Sequence, residues 1–238
     1  MLKAFGLSQV SIVDVRASDA FQLGHVPLAV NVPAHAFSSH RQSPATLATL
    51  LGQAGVDRSH EVVVVSEGGL NESSALAFVL LESIGQQKVS IFLDSIERWA
   101  ELGQEVATPA AASAAGKPSA PSGMPAPPAT PYVALVRTGL FVSDPAGGQG
   151  LYPTVYVASG ARLPTRAPEG RVLHLPYTRF LNADGTPRAA KDIWNTLAEA
   201  GVPRYAEIVV FADTPGEAAV NYVVLRMMGF ADVKVWAP

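Results

Sequence analysis

The residues best placed to do chemistry lie at positions 61–74, where a run of valines ends in a short polar loop. Such a run predicts a strand buried in a parallel sheet, and the residues after position 71 predict a helix. Backbone N–H groups converge at a strand–loop–helix junction, which suits an anion or a nucleophile. The loop begins with Ser66, Glu67, Gly68 and Gly69. Because no base accompanies Ser66 in this loop, and a serine hydroxyl is barely ionised near neutral pH, we expect no nucleophile here.

The second half of the chain repeats this arrangement. An Ala-Gly-Val triplet precedes the valine strand at Gly55, and it returns at Gly201 ahead of a second apolar run. A Gly-x-x-x-Val pattern follows the helix at Gly85 and again at Gly229. This internal repeat indicates two related domains. The loop of the second copy begins with Ala212, Asp213, Thr214, Pro215 and Gly216.

Strands and helices alternate within each half. This alternation predicts an α/β fold of two domains, each with a central, mainly parallel β-sheet flanked by helices. We place the first domain at residues 1–106 and the second at 132–238. Residues 107–131 are dominated by Ala, Pro, Ser and Gly and predict a semi-stiff linker between the domains.

Four helix starts are predicted from capping patterns. The predicted caps are Ser43, Asp94, Thr186 and Thr214. Thr214 gives the fullest pattern, because Pro215 occupies the first helical position and Glu217 completes a capping box.

Other polar side chains near the first strands are candidates for a site. Asp14 and Arg16 stand at a strand end, where they either form an ion pair or line the wall of a site, and we favour the ion pair. His25 lies in a Gly-His-Val-Pro turn and is expected to hydrogen-bond within it. His35 and His40 match no metal-binding spacing, so we predict neither a metal nor a cofactor.

Composition excludes several classes of function. The chain has no cysteine, which excludes disulfides, thiolate metal sites and thiol-based catalysis. The net charge is −3 without a basic run, so nucleic acid is not an expected partner. No apolar stretch reaches the roughly 18 residues of a membrane span. We therefore expect a soluble protein, either cytoplasmic or periplasmic, and the Ala/Pro-rich linker favours the periplasm.

Four motifs stand out in the first half: Asp14-Val-Arg16, Gly24-His25-Val-Pro27-x-Ala29-x-Asn31-Val-Pro33, the strand–loop–helix at 62–85, and Trp99-x-x-x-Gly103. Together they resemble a rhodanese domain. The second half is similar to a second such domain through residues 175–185 and the strand–loop–helix at 208–229. The resemblance implies the tandem arrangement of thiosulfate and 3-mercaptopyruvate sulfurtransferases.

The same resemblance implies a catalytic cysteine at the head of the loop, where family members carry sulfur as a persulfide. The matching positions here are Ser66 and Ala212, and neither side chain can hold a persulfide. The surrounding carboxylates are also unlike the cations that the family favours. They are Glu67, Glu72, Asp213 and Glu217. A carboxylate within about 5 Å opposes an incoming anion by about 1 kcal/mol or more.

These features lead to three hypotheses. The preferred one is a catalytically inactive tandem rhodanese-like protein that binds a protein partner or serves as an accessory subunit of a larger complex. The alternative is a sulfurtransferase-class protein that binds sulfur substrates or works with a partner's cysteine. The third is a sensor of a small molecule or anion at the empty loops.

Overall fold

The computed structural model describes residues 10–108, 128–142, 144 and 152–236. Most of the predicted linker, residues 109–127, lies outside the described residues. The chain divides into two compact units. The first contains residues up to Gly69 together with Leu80–Val136, and the second contains Leu70–Val79 together with Arg137–Pro238.

The first unit is built on a parallel sheet whose strand order is β2-β1-β3-β4. The valine run forms β3, and Val62 and Val64 are completely buried. Strand β1 lies beside it in register, with Val10 opposite Glu61 and Asp14 opposite Val65. The elements in the first half of the sequence are β1 (Val10–Asp14), α1 (Ser18–Leu23), β2 (Ala29–Asn31), α2 (Ala34–Ser39), α3 (Pro44–Gln53), β3 (Glu61–Val65), α4 (Glu72–Ser83), β4 (Lys88–Phe92) and α5 (Ile96–Glu101). Of these, α4 begins in the second unit and ends in the first.

The second unit is built on a parallel sheet whose strand order is β5-β9-β8-β6-β7. All five residues of the central strand β8 are buried. The elements are β5 (Phe141–Val142), β6 (Thr154–Ala158), β7 (Val172–His174), a 3₁₀ helix (Tyr177–Phe180), α6 (Ala190–Glu199), β8 (Glu207–Phe211), α7 (Pro215–Met227) and β9 (Val233–Trp236). The predicted α/β fold with mainly parallel sheets is confirmed.

The two sheets repeat the same connection pattern, as the internal repeat predicts. Strand β6 lies between β7 and β8, just as β1 lies between β2 and β3. The repeated glycines also correspond in backbone conformation. Gly55 and Gly201 have φ of 87° and 72°, and Gly85 and Gly229 have φ of 92° and 89°. Each glycine follows a helix, where a left-handed residue ends the helix without the steric cost of a Cβ.

Of the four predicted helix caps, Ser43 occupies the cap position of α3 without a side-chain hydrogen bond, and two others are corrected by the structure. The cap of α5 is Ser95 rather than Asp94, since the Ser95 hydroxyl accepts the N–H of Arg98. Helix α6 begins later than Thr186 predicts, with Ala189 at its cap position. Thr186 belongs instead to a turn in which its backbone N–H and hydroxyl both donate to Asp184. The Thr214 cap is confirmed, because its hydroxyl accepts the N–H of Glu217.

An extended segment at residues 130–135 packs on the first unit. The Thr130 N–H donates to the Gly52 carbonyl at 2.9 Å, and the Leu135 N–H donates to the Ile84 carbonyl at 2.8 Å. Between them the buried Tyr132 donates its hydroxyl to Gln86 Oε1 at 2.8 Å. Within the described ranges, no helix is both long and apolar enough to cross a membrane.

Candidate functional site

The head of each central loop lies at the carboxyl end of a central strand. Ser66 directly follows β3, and Ala212 directly follows β8. Ser66 is completely buried, and Ala212 retains 5% of its exposure. Folds of this class place ligands at the carboxyl ends of parallel strands. Both positions therefore lie where a ligand site is expected, but neither carries a thiol.

The first loop is closed against residues 93–95. Gly68 and Gly69 both adopt positive φ, 108° and 67°, which brings the loop backbone close to its neighbours. The Gly69 N–H donates to the Leu93 carbonyl at 2.7 Å, and a Cβ at Gly68 would lie 3.2 Å from the Ser95 side chain. Glu67 is exposed at the surface of this loop. The loop therefore covers Ser66 and presents a carboxylate to solvent.

Asp14 and Arg16 form a buried ion pair at the end of β1. Arg16 Nη2 lies 2.7 Å from Asp14 Oδ2, and it also donates to the Gly24 carbonyl at 2.7 Å. Asn31 Nδ2 donates to the backbone carbonyls of both residues at 3.0 Å. The pair thus ties β1, β2 and the turn at Gly24 together.

His25 is held inside its turn. Its Nδ1 lies 2.9 Å from the Phe21 carbonyl and must donate the proton, since a carbonyl only accepts. Its ring stacks on Phe21 with centroids 3.8 Å apart. The backbone of His25 also exchanges two hydrogen bonds with Ala107. These contacts give His25 a structural role in the first unit.

A cavity of about 290 Å³ opens beside Ala212 in the second unit. Its lining residues are Pro164, Thr165, Arg166, Ala212, Asp213 and Trp236. Arg166 is exposed, and it has no hydrogen bond or ion pair within the described part of the chain. Asp213 is partly engaged, because its Oδ1 accepts the Thr165 N–H at 3.3 Å. The cavity therefore places the guanidinium of Arg166 beside the position where the resemblance places a cysteine.

The residues after Asp213 begin helix α7 and contact the start of α4. The Thr214 hydroxyl lies 3.3 Å from Glu72 Oε2 and 3.2 Å from Glu217 Oε2. A Cβ at Gly216 would lie only 2.7 Å from Glu72 Cβ, so glycine permits this close approach. Tyr177 donates its hydroxyl to Glu72 Oε1 at 3.1 Å. These contacts hold the loop that follows β8.

Burial and negative charge act together on Tyr177. Burial raises the pKa of the Tyr177 phenol, and the nearby carboxylates of Glu72 and Glu217 raise it further. Both carboxylates disfavour a phenolate, so Tyr177 remains a hydrogen-bond donor over the physiological range. The start of α7 is thus surrounded by the carboxylates of Glu72 and Glu217.

Residues 2–102 match the family model described as a rhodanese-like domain. The matched stretch runs from β1 through α5. A protein of Synechococcus elongatus named as a thiosulfate sulfurtransferase is 31% identical over 106 residues. That alignment covers 41% of this chain and 33% of the relative, so the chain matches about a third of the relative's length.

Solved structures extend the rhodanese fold over both units. The 3-mercaptopyruvate sulfotransferase SseA from Escherichia coli aligns with a TM-score of 0.75 at 19% identity, over 98% of this chain and 94% of that chain. An anaerobic ergothioneine biosynthesis enzyme from Chlorobium limicola aligns with a TM-score of 0.74 at 15% identity, over 96% of this chain and 60% of that chain. At these identities the likeness shows the fold.

The sequence predicted the loops after β3 and β8, because a buried strand followed by a helix is a local pattern. It did not predict every residue of the cavity. The sequence did not identify Arg166 as a site residue, because Arg166 lies in the irregular stretch between β6 and β7, where no periodic pattern indicates which side chains face a cavity. Trp236 packs on Phe211, with ring centroids 5.6 Å apart, and it also forms a wall of the cavity.

Proposed function

We propose that this chain is a catalytically inactive rhodanese-like protein that acts as a protein-binding or structural accessory subunit. One observation carries the proposal: the chain has no cysteine, and the heads of the two central loops are Ser66 and Ala212. A persulfide requires a thiol sulfur. A buried hydroxyl and a methyl group cannot supply one.

The scaffold around these positions supports a binding role. The Thr214 cap, the left-handed Gly68 and Gly69, and the cavity beside Ala212 are all formed without the nucleophile. We assign binding to the two loops, with Asp14, Arg16 and His25 supporting the first. The loop residues are Ser66, Glu67, Gly68 and Gly69 in the first unit and Asp213, Thr214 and Gly216 in the second.

A sulfur-transfer assay tests the inactive character directly. Purified protein is incubated with thiosulfate and cyanide, and intact-protein mass spectrometry follows any sulfur added to the chain. We expect neither thiocyanate formation nor added mass. Turnover that is lost in Ser66→Ala would refute the proposal, because it would make Ser66 a working nucleophile.

A second assay tests the accessory role. The tagged full chain is used to capture partners from its native source, and a captured candidate is then purified and mixed with the chain for sedimentation analysis. A stoichiometric complex that survives the Ser66→Ala change supports a role independent of chemistry at that position. A chain that remains alone with every purified candidate would contradict it.

A second candidate function is favoured by the cavity beside Ala212. Its exposed Arg166 suits an anionic sulfur compound, so the chain could belong to the sulfurtransferase class by binding sulfur substrates or by working with a partner's cysteine. Calorimetric titration with thiosulfate and with 3-mercaptopyruvate separates this candidate from the first. Binding that is lost in Arg166→Gln supports it, and the absence of heat with both compounds counts against small-molecule binding.

A further inference from the structure

Strand β4 forms an open edge of the first sheet. Among the strands that the structure describes, β4 is hydrogen-bonded to β3 alone. Its counterpart in the second unit, β9, lies between β8 and β5, and both neighbours run parallel to it. The outer side of β9 is therefore covered by a strand, whereas the outer side of β4 is not. Free N–H and C=O groups at such an edge are a template for pairing with another chain.

The internal repeat identifies which backbone groups of β4 face outward. Counted from Glu61 and Glu207, the first residues of β3 and β8, the two strand pairs share one register. Ile91 therefore corresponds to Val235. The Val235 N–H donates away from β8, to the Leu140 carbonyl at 2.8 Å. Because successive N–H groups alternate in direction along a strand, the N–H of Ile91 points away from β3 in the same way.

The apolar side chains at this edge are incompletely covered. In β9, Val235 and Trp236 are 0% and 8% exposed. Ile91 and Phe92, at the equivalent positions of β4, are only half-buried. Val142 of β5 packs on the cluster that contains Trp236. A strand added beside β4 covers Ile91 and Phe92 as β5 covers β9, and this burial of apolar surface favours the addition.

Lys88 indicates the chemistry and direction of the added strand. It is the first residue of β4, it is exposed, and it has no hydrogen bond or ion pair with any residue that the structure describes. A parallel strand begins beside Lys88, where an acid would face the ammonium group. A second copy of β4 would pair antiparallel. Pairing Val89 of one copy with Ile91 of the other sets Lys88 opposite Phe92, which offers no acid.

We propose that the outer edge of β4 receives an extended segment of a partner protein as a parallel fifth strand of the first sheet. The segment carries an acid opposite Lys88 and bulky apolar residues opposite Ile91 and Phe92. Backbone hydrogen bonds hold such a strand, and its alternate side chains give specificity. The inference rests on the proposed role as a protein-binding subunit and names the mode of binding.

Peptide titration of the full chain, followed by NMR of its backbone amides, tests the proposal. The probe is acetyl-Glu-Gly-Leu-Phe-Val-amide, whose last four residues repeat positions 139–142, where the chain covers β9. We expect a dissociation constant of about 1 mM or below, with shifts at Ile91 and none at Val235. The same peptide with Lys in place of Glu should bind more weakly, because the like charge of Lys88 repels it.

Two methylated peptides of equal mass separate strand pairing from nonspecific apolar contact. In the parallel arrangement the valine amide of the probe donates to β4, whereas its phenylalanine amide points away. A methyl group on the valine amide should therefore weaken binding about fivefold or more, as expected for loss of a backbone hydrogen bond. A methyl group on the phenylalanine amide should leave binding within about twofold.

A pair of variants tests the same contact from the side of the chain. Ile91→Pro removes the outward N–H, and proline is tolerated in an edge strand when its nitrogen faces outward. Ile91→Thr keeps both the N–H and the β-branched side chain and is the matched control. We expect the proline variant to bind the probe about fivefold or more weakly and the threonine variant to bind it normally. If the proline variant does not fold by circular dichroism, the two methylated peptides decide.

Hydrogen exchange reports whether the edge is open. In the free chain the Ile91 amide should exchange faster than the Val235 amide, and saturation with the probe should slow it. Four outcomes would overturn the proposal: no binding of the probe at 10-fold above about 1 mM, equal binding of the two methylated peptides, an Ile91 amide that is already protected in the free chain, or self-association that Ile91→Pro abolishes. A purified partner that binds Ile91→Pro as tightly as the unmodified chain would also exclude the β4 edge while leaving the accessory role intact.

Discussion

The Arg16 guanidinium contacts both carboxylate oxygens of Asp14. Nε lies 3.0 and 3.1 Å from Oδ1 and Oδ2, and Nη2 lies 2.7 Å from Oδ2. Asp14 is completely buried and Arg16 is 7% exposed. A pair with such geometry is costly to break from one side, because the remaining charge is left in a dry environment.

Arg16→Ala is therefore expected to destabilise the first unit by about 3–5 kcal/mol in urea unfolding followed by circular dichroism. The matched control is the exposed pair of Arg98 and Glu101, whose side chains are 56% and 65% exposed. Arg98→Ala should cost less than about 1 kcal/mol. Equal losses for the two arginine variants would show that burial of the Asp14 pair contributes nothing.

The buried Tyr132 predicts a loss of stability at alkaline pH. Burial raises the pKa of its phenol above the ordinary value. The folded chain keeps a proton that the unfolded chain releases above about pH 10, so the stabilising contribution is complete below that pH and declines as the pH rises.

Tyr132→Phe should lower stability by about 1 kcal/mol at neutral pH through loss of the hydrogen bond to Gln86, while making the alkaline decline shallower. Urea midpoints measured over a series of pH values provide the comparison. Tyr205 is 72% exposed, so Tyr205→Phe serves as the control and should leave the decline as steep as in the unmodified chain. An unchanged slope in Tyr132→Phe would contradict the prediction.

Gly85 and Gly229 provide an internal comparison of backbone strain with steric overlap. Their φ angles differ by only a few degrees, 92° and 89°. A Cβ at Gly85 would lie 2.5 Å from the Leu135 carbonyl oxygen, whereas a Cβ at Gly229 would meet nothing within 4 Å. Both alanine variants should cost about 1–2 kcal/mol for the left-handed conformation.

Gly85→Ala should lose stability beyond that strain, because the chain at Leu135 must move, and thermal unfolding of the two variants measures the difference. Proteolysis near residue 135 should also become faster in Gly85→Ala only, since the Leu135 N–H to Ile84 bond lies beside the overlap. Identical melting temperatures would indicate that the chain near Leu135 moves aside for the added methyl group without losing stability.

Thr214 and Ser43 allow a comparison between a helix N-cap that makes a side-chain hydrogen bond and one that does not. Thr214 accepts the N–H of Glu217, but Ser43, at the corresponding position of α3, makes no capping hydrogen bond through its side chain. Both are exposed and both precede a proline. Thr214→Ala should cost about 1 kcal/mol and Ser43→Ala only a few tenths in denaturant unfolding. A larger loss at Ser43 would reverse this assignment.

The sequence was most informative where structure depends on short-range pattern. The valines of β3, the left-handed Gly55 and Gly85, and the Thr214 cap all depend on residues within one turn or one strand. For the same reason the repeat could be detected, because equivalent local signals occur in the same order in both halves.

Prediction failed where neighbouring residues offered competing local choices or where position depends on tertiary contacts. Asp94 and Ser95 are both good caps, and only the geometry decides for Ser95. Thr186 precedes a proline, as many helix N-caps do, but the Asp184 carboxylate accepts its hydroxyl in a turn. Arg166 reaches the cavity because the stretch between β6 and β7 folds back to β8 and β9, which no local pattern encodes.

A methyl group at the floor of the Ala212 cavity changes how this surface responds to oxidants. Peroxide converts exposed low-pKa thiolates to sulfenic and then irreversible acids, and alkylating agents cap them. Neither route is open at Ala212 or Ser66, so oxidative damage falls instead on groups such as the thioether of Met227, which is 60% exposed on α7. The Ala212 cavity therefore keeps its shape under conditions that would modify a thiol at the same position.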